Sequence, residues 1–198
     1  MSVPVIDIRR VADVLSTYEH KKRADSEATR WAAVAMVFRI TDAASPDVLL
    51  IRRSEHPTDP WSGHMAMPGG RMEETDASLQ AAAERETIEE VGLSLSHYGQ
   101  LLGRLDDVSA VARGRRLGLT IAPFVYSVTE PPPLRANHEV QESVWIPLCD
   151  LAGNQFRDTK KYEFAGSTIH LPCWNWNGRV IWGLTYNMLE TLIRLSAR

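Results

Sequence analysis

Three glutamates, Glu86, Glu89 and Glu90, stand close together in the segment AAAERETIEEVGL. On a helix turning about 100° per residue they fall within an arc of about 100° on one face. Carboxylates this close repel one another unless a cation neutralises them. An acidic helix face is often only a solvated surface, but the neighbours here argue otherwise. Ala81, Ala82 and Ala83 leave space around the acids, and Met67-Pro68-Gly69-Gly70 precedes them after a short turn. A cluster of hard oxygen donors suits Mg²⁺ or Mn²⁺ better than zinc. Gly69 and Gly70 allow the backbone to approach a metal or a phosphate closely, although a plain turn would need the same residues.

The elements that must hold these groups are readable around them. Residues 77–91 are helix formers without Gly or Pro, Asp76 stands where an N-cap would, and Gly92 is a natural stop. Residues 31–40 read as a buried strand and 48–52 as a second, joined by the turn DAASPD into a hairpin. Residues 54–70 read as a loop, and 100–105, 119–128 and 142–147 as strands. EPPPLRANHE forms an irregular connection before the last of these. Residues 156–184 hold two short strand-like runs around turns such as Asn177-Gly178. Residues 6–27 read as a short helix followed by the solvated charge run EHKKRADSE. The tail carries Leu184, Met188, Leu189, Leu192 and Leu195 at helical spacing. The order of strands, helix, strands and helix predicts a mixed α/β sandwich.

Composition narrows the class. The 198 residues are 44% hydrophobic and 24% charged, as expected of one globular domain. A net charge of −3 gives no overall basic field, so nucleic acid is not an expected partner. No apolar run approaches the roughly 18 residues of a membrane span, and the N-terminus lacks the apolar core of a signal peptide. A cytoplasmic location is the default expectation. Cys149 and Cys173 are too few for a disulfide framework or a four-ligand zinc site, and read as buried free thiols.

Gly70, Asp76, Arg85-Glu86, Glu89-Glu90 and Gly92-Leu93 together resemble the Nudix box, which combines a glycine, an acid, Arg-Glu, Glu-Glu, and a glycine with an aliphatic residue. The box usually has Glu where Asp76 stands, and seven residues before its Arg where this chain has eight, Ala77 to Glu84. The longer spacing resembles the coenzyme A pyrophosphatase branch, as do LLIRRS at 49–54, the approach from Gly63 to Gly70, DASLQAAAERE, and IWGLT near the C-terminus. Unlike that branch, EHPTDPWS lacks a basic residue, Met67 replaces a Phe, and the spacing is one residue longer.

The resemblance implies a Nudix-type α/β/α sandwich with a mixed β-sheet. It would form a single domain over 1–198, with an N-terminal helical extension at 1–30 and a C-terminal helix at 184–198. It implies a pyrophosphohydrolase using Mg²⁺ or Mn²⁺ on a nucleoside diphosphate-linked small molecule, coenzyme A or a derivative among them. NDP-sugar or ADP-ribose hydrolysis is the alternative, and a non-catalytic Nudix-fold ligand-binding domain the remote one. Glu86, Glu89, Glu90 and the Gly70 carbonyl are the expected metal ligands. Arg85 is expected to hold a box carboxylate in place, although a structural salt bridge to Asp76 would look the same in sequence. The general base is Glu86 or Glu139, with Glu142 a weaker candidate. Arg52, Arg53 and Arg71 are the candidate phosphate cations, and Arg113, Arg115 and Arg116 in ARGRRLG a possible cleft lining. Trp61, beside His64, is a candidate for stacking on a base, or equally packs into the sandwich. Trp174 and Trp176 read as core or subunit contacts, which leaves room for a homodimer.

Overall fold

The computed structural model describes residues 6–22, 30–43, 45–57, 59, 61–112, 115–164 and 166–197. Part of the charge run, part of the 42–47 turn, Arg113, and the side chains of Arg115 and Arg116 lie outside the described residues. The elements run α1 (Ile8–Thr17), β1 (Arg30–Ile40), β2 (Asp47–Arg53), β3 (Met65–Ala66), β4 (Gly69–Arg71), α2 (Leu79–Val91), α3 (Leu95–Tyr98), β5 (Gly99–Arg104) and β6 (Val108–Ala112). They continue with β7 (Arg115–Thr129), β8 (Val140–Pro147), α4 (Leu148–Ala152), β9 (Arg157–Phe164), β10 (Ser167–Trp176), β11 (Arg179–Trp182) and α5 (Gly183–Ser196).

An eight-stranded mixed sheet forms the centre. β1 lies parallel to β7 along its whole length, from Arg30↔Leu119 to Ile40↔Thr129. Its other edge is shared. The expected hairpin with β2 is present at Phe38↔Val48 and Arg39↔Asp47, and β4 takes the remainder at Ala32↔Arg71, Ala33↔Gly70 and Val34↔Gly69. Six of the eleven residues of β1 are buried and three more are partly so, as its apolar run requires.

Helices cover both faces, giving the expected α/β/α layering. On one face Ala82, Ala83 and Val91 of α2 pack on Ala33, Ala35, Val37, Leu49 and Ile51. The alanines therefore do not open space around the acids. They are buried under the helix, where small side chains on both partners let α2 sit close to the sheet. On the other face Val11 and Leu15 of α1 and Tyr186, Leu189 and Leu192 of α5 pack on Met36, Phe38, Val48 and Leu50.

Other boundaries also differ from the sequence reading. Ser78, not Asp76, caps α2, its Oγ accepting the Ala81 N–H at 3.1 Å. ARGRRLG is not one loop, because Arg115 and Arg116 already pair with Ala112 and Val111 in a β6–β7 hairpin. The two runs expected after residue 157 form a separate three-stranded antiparallel sheet, β11-β10-β9. Trp174 is fully buried in the core, and Trp176 is partly buried with its Nε1 donating to Asp150 at 2.8 Å. Cys173 is buried as expected, whereas Cys149 is only partly so. Among the described residues no helix is long and apolar enough to cross a membrane.

Candidate active site

The site is built where α2 passes over β4. Gly92 ends the helix at φ 72°, and the connection that follows β7 folds back onto it. Its Arg135 and Asn137 N–H groups donate to the carbonyls of Val91 and Glu90 at 2.8 and 3.0 Å. The Pro-rich segment is thus the irregular connection expected, and it occupies carbonyls that the helix end would leave unpaired. Glu139 follows on this docked connection. Its N–H donates to Asn137 Oδ1 at 2.8 Å and its carbonyl accepts the Ser54 N–H at 2.8 Å. Its carboxylate remains exposed, with His138 Nε2 at 3.9 Å.

The three glutamates on α2 differ in environment. Glu90 is 1% exposed, its Oε2 accepting the Gly69 N–H at 2.9 Å and its Oε1 standing 3.9 Å from Arg53 Nη1. Burial pushes its pKa up to about 8, with the negative charges of Glu86 and Glu139 adding to the rise. Glu86 is half-buried against Gly70, and burial raises its carboxyl too, against the lowering pull of Arg85. Glu89 faces solvent. The negative charge of Glu139 adds a small part of the rise at both Glu86 and Glu90.

Arg85 ties this face together. Its Nε and Nη2 grip the two carboxylate oxygens of Asp76, each at 3.0 Å, and Nη2 also donates to the Arg71 carbonyl at 3.0 Å. Its Nη1 reaches Glu86 and Glu89, both at 3.0 Å. Both readings of Arg85 therefore hold: it is a structural bridge to Asp76 and it orients two box carboxylates. The guanidinium holds Asp76 below the usual carboxylate range. Asp76 is thus committed to Arg85, which explains why Ser78 serves as the cap.

The glycines are required by contact. A Cβ on Gly69, whose φ is 151°, would collide with the Ala33 carbonyl and with Val34, and a Cβ on Gly70 would overlap the Glu86 carboxylate. At Gly69 the obstacle is the backbone of β1, so nothing larger fits; at Gly70 it is the end of the Glu86 side chain, which would have to move aside.

A divalent cation suits this donor set. Glu86, Glu89 and Glu90 are hard oxygen donors on one face, and a buried carboxylate such as Glu90 is costly to ionise without a cation beside it. Arg53 stops short of contact with Glu90, and the single charge of Arg85 is shared among three acids. Among the described residues no three acidic, His or Cys side chains close into a finished cage. Glu89 leans to Arg85 and Glu90 to Gly69, so ligation requires Glu89 to turn from its exposed bridge.

The candidate substrate contacts divide. Arg53 lies on the α2 face, pairing with Asp59 at 2.8 Å as well as approaching Glu90. Arg52 lies on the opposite face, as strand alternation demands, and pairs with Glu142 of β8 at 3.6 Å. That removes Arg52 from the site. Glu142 leaves with it, bound also by Arg179, whose Nε donates at 3.0 Å. These cations, Arg179 foremost, hold Glu142 below the ordinary carboxylate range, a poor state for a base. Arg71 is exposed at the rim of a depression shared with Trp31, Met72, Glu73 and Glu74. Trp61 does not present a free ring, being packed against Ala32, Ala110, Leu119 and Ile121. His64, in contrast, meets the ring of Trp182 edge-on at 4.9 Å, a contact that sequence spacing alone did not reveal.

These features coincide with known proteins. The NUDIX domain model matches residues 29–165. A relative from Schizosaccharomyces pombe, named Uncharacterized protein C14C4.10c, is 37% identical over 145 residues, which are 72% of this chain. The chain spans only 43% of the length of that relative. A second, from Salmonella paratyphi B, named Uncharacterized Nudix hydrolase NudL, is 30% identical over 160 residues, covering 80% of this chain and 79% of its own. Among solved structures, a MutT/nudix family protein from Enterococcus faecalis superposes with a TM-score of 0.55 at 20% identity, over 93% of this chain and 67% of that one. A family match that opens just before β1 and runs through β9, together with a relative alike over most of both chains, leads to one conclusion: the chain belongs to the Nudix hydrolase family.

Proposed function

We propose that the protein is a divalent-metal-dependent pyrophosphohydrolase of a nucleoside diphosphate-linked small molecule. The observation that carries this reading is the acidic face of α2 set against Gly69-Gly70, with a buried Glu90 whose ion pair to Arg53 is a long one, 3.9 Å. Glu86, Glu89 and Glu90, with the Gly70 carbonyl, would hold Mg²⁺ or Mn²⁺. Such an ion supplies a more acidic water and offsets charge on phosphoryl oxygens. Arg85 keeps the Glu86 and Glu89 carboxylates in place. Arg53 offers a guanidinium to a phosphate on the same face. Glu139 lies on the docked loop, exposed enough to take a proton from an attacking water without joining the ligand set. Neither DNA nor RNA is a proposed partner, and a cytoplasmic setting is assumed.

The substrate is decided by a panel with mass detection of products, run with Mg²⁺ and with Mn²⁺. Coenzyme A heads it because of the box spacing and LLIRRS, followed by ADP-ribose and NDP-sugars. Coenzyme A would give 3′,5′-ADP and a phosphopantetheine, whereas ADP-ribose would give AMP and ribose phosphate. Cleavage at the diphosphate that is abolished by chelation upholds the reading. No cleavage of any member, or full activity after exhaustive chelation, overturns it.

A further inference from the structure

The three-stranded sheet has two unlike faces, and its register settles which residues share each. Opposed residues in an antiparallel pair project to the same side, and successive rows alternate. Asp158–Cys173, Lys160–Leu171, Tyr162–Ile169 and Phe164–Ser167 are therefore rows of one face, and Trp182 extends the first through its pairing with Cys173. The other face is covered at its base, where Trp174 packs against Tyr186 of α5 at 4.3 Å and Arg157 reaches Glu190 at 3.1 Å, but its outer residues Lys161, Glu163, Thr168 and His170 are polar and exposed. The first face carries rings and aliphatic side chains instead. Lys160, Tyr162 and Trp182 are partly exposed, and farther out Phe164 is 41% and Ile169 37% exposed.

This open face runs into the candidate active site. Arg53 and His64 stand one step beyond the Arg52–Met65 pair, hence on the face of Ile51 and Ala66, with the Arg53 N–H donating to the His64 carbonyl at 3.0 Å. The guanidinium of Arg53, held by Asp59 at 2.8 Å, brings its Nη1 to 3.9 Å from Glu90, and the imidazole of His64 meets Trp182. Trp182 in turn meets Tyr162 at 5.5 Å, and Lys160 Nζ lies 5.1 Å from the indole centroid. Going outward from Glu90, the surface offers a cation, three rings and a second cation. Two cations bracketing aromatic rings match a flat heterocycle carrying phosphate. Rings stack on the heterocycle, and ammonium and guanidinium groups meet the phosphate. A purely apolar ligand would gain nothing from Lys160 or Arg53.

We propose that this face, centred on Tyr162 and Trp182 with Lys160, binds the nucleobase and adjoining phosphate of the substrate while α2 acts on the diphosphate. The assignment rests on the reading of the chain as a diphosphate hydrolase and adds the group that it recognises.

The test is calorimetric binding of AMP, with ribose 5-phosphate as an anion of the same kind without a base, in Mg²⁺. Tyr162 is partly exposed and outside the core clusters, so its variants test the ring without emptying the core. Base–aromatic stacking is worth about 1–3 kcal/mol per base, so Tyr162→Ala should weaken AMP at least fivefold. Tyr162→Phe should stay within about twofold, and ribose 5-phosphate should bind all three proteins alike. Failure of the parent to bind AMP, unchanged AMP affinity in Tyr162→Ala, or an equal loss for ribose 5-phosphate would each overturn the base site. The two readings fail separately. A parent that cleaves no diphosphate refutes the hydrolase, yet AMP binding lost in Tyr162→Ala still upholds the base site. A parent that cleaves while Tyr162→Ala binds AMP normally refutes the base site alone.

Discussion

Arg52 and Arg53 are neighbours on β2, and each faces a glutamate across the fold. On the outer face Arg52 stands 3.6 Å from Glu142, and Arg179 closes on the same carboxylate. On the α2 face Arg53 spends its close contact on Asp59 and stops 3.9 Å from Glu90. The consequences are opposite. Contact cations draw Glu142 below the ordinary carboxylate range, whereas burial raises Glu90 to about 8. An acid satisfied by the protein's own cations holds structure together. A buried acid whose ion pair is long is the one we propose meets a cation from outside.

The largest expected effect separates these two acids. Glu90→Gln should lower kcat about 10²–10⁴-fold, the scale of losing a group that positions metal or water. Glu142→Gln should keep kcat within about threefold. Steady-state kinetics on the pair checks this, and a loss in Glu142→Gln as deep as that in Glu90→Gln would erase the distinction. Next comes the loop acid. Glu139→Gln should reduce kcat about 10²-fold with Mg²⁺ affinity unchanged within about twofold, whereas Glu86→Gln should weaken both. Metal titration beside single-turnover kinetics separates the two, and parent-like turnover in Glu139→Gln would make it a bystander. Gly70→Ala is smaller, about tenfold in kcat, because the added methyl displaces the Glu86 carboxylate without removing it. A fully active Gly70→Ala enzyme would show that Glu86 need not lie against Gly70.

The smallest effect is on stability. Because the folded-state pKa of Glu142 is depressed, its ion pairs add stability above its unfolded value of about 4.3. That contribution is lost as pH falls through the folded value. Glu142→Gln should therefore melt about 2–4 °C below the parent at pH 7, with the gap closing below about pH 4. A gap that persists undiminished in acid would assign the loss to packing.

How much of this was legible in the sequence depended on whether a feature was local. The acids of α2 share one element, so their common face follows from helical spacing, and Gly92 ends that helix as read. Strand cores such as β1 announced themselves by unbroken apolar runs. What failed required knowledge of partners. Asp76 has an N-cap's composition, but Arg85 nine residues later claims it. Arg52 and Arg53 are equal in sequence until the sheet assigns each a face. Trp61 was open between a base-stacking and a packed place, and only the fold sets it against β1 and β7 residues. The aromatic wall escaped altogether. Its signal was the alternation Lys160, Tyr162, Phe164, but only the β9–β10 register and the reach of Trp182 to His64 connect it to the site.

The central claim is that the acidic face of α2 is a divalent-cation site. Calorimetric titration of Mn²⁺ into the parent, Glu90→Gln and Glu142→Gln proteins at neutral pH tests it without recourse to a substrate. The expected result is saturable binding to the parent, at least tenfold weaker binding to Glu90→Gln, and parent-like binding to Glu142→Gln. Absence of binding to the parent, or equal affinity in the parent and Glu90→Gln, would contradict it.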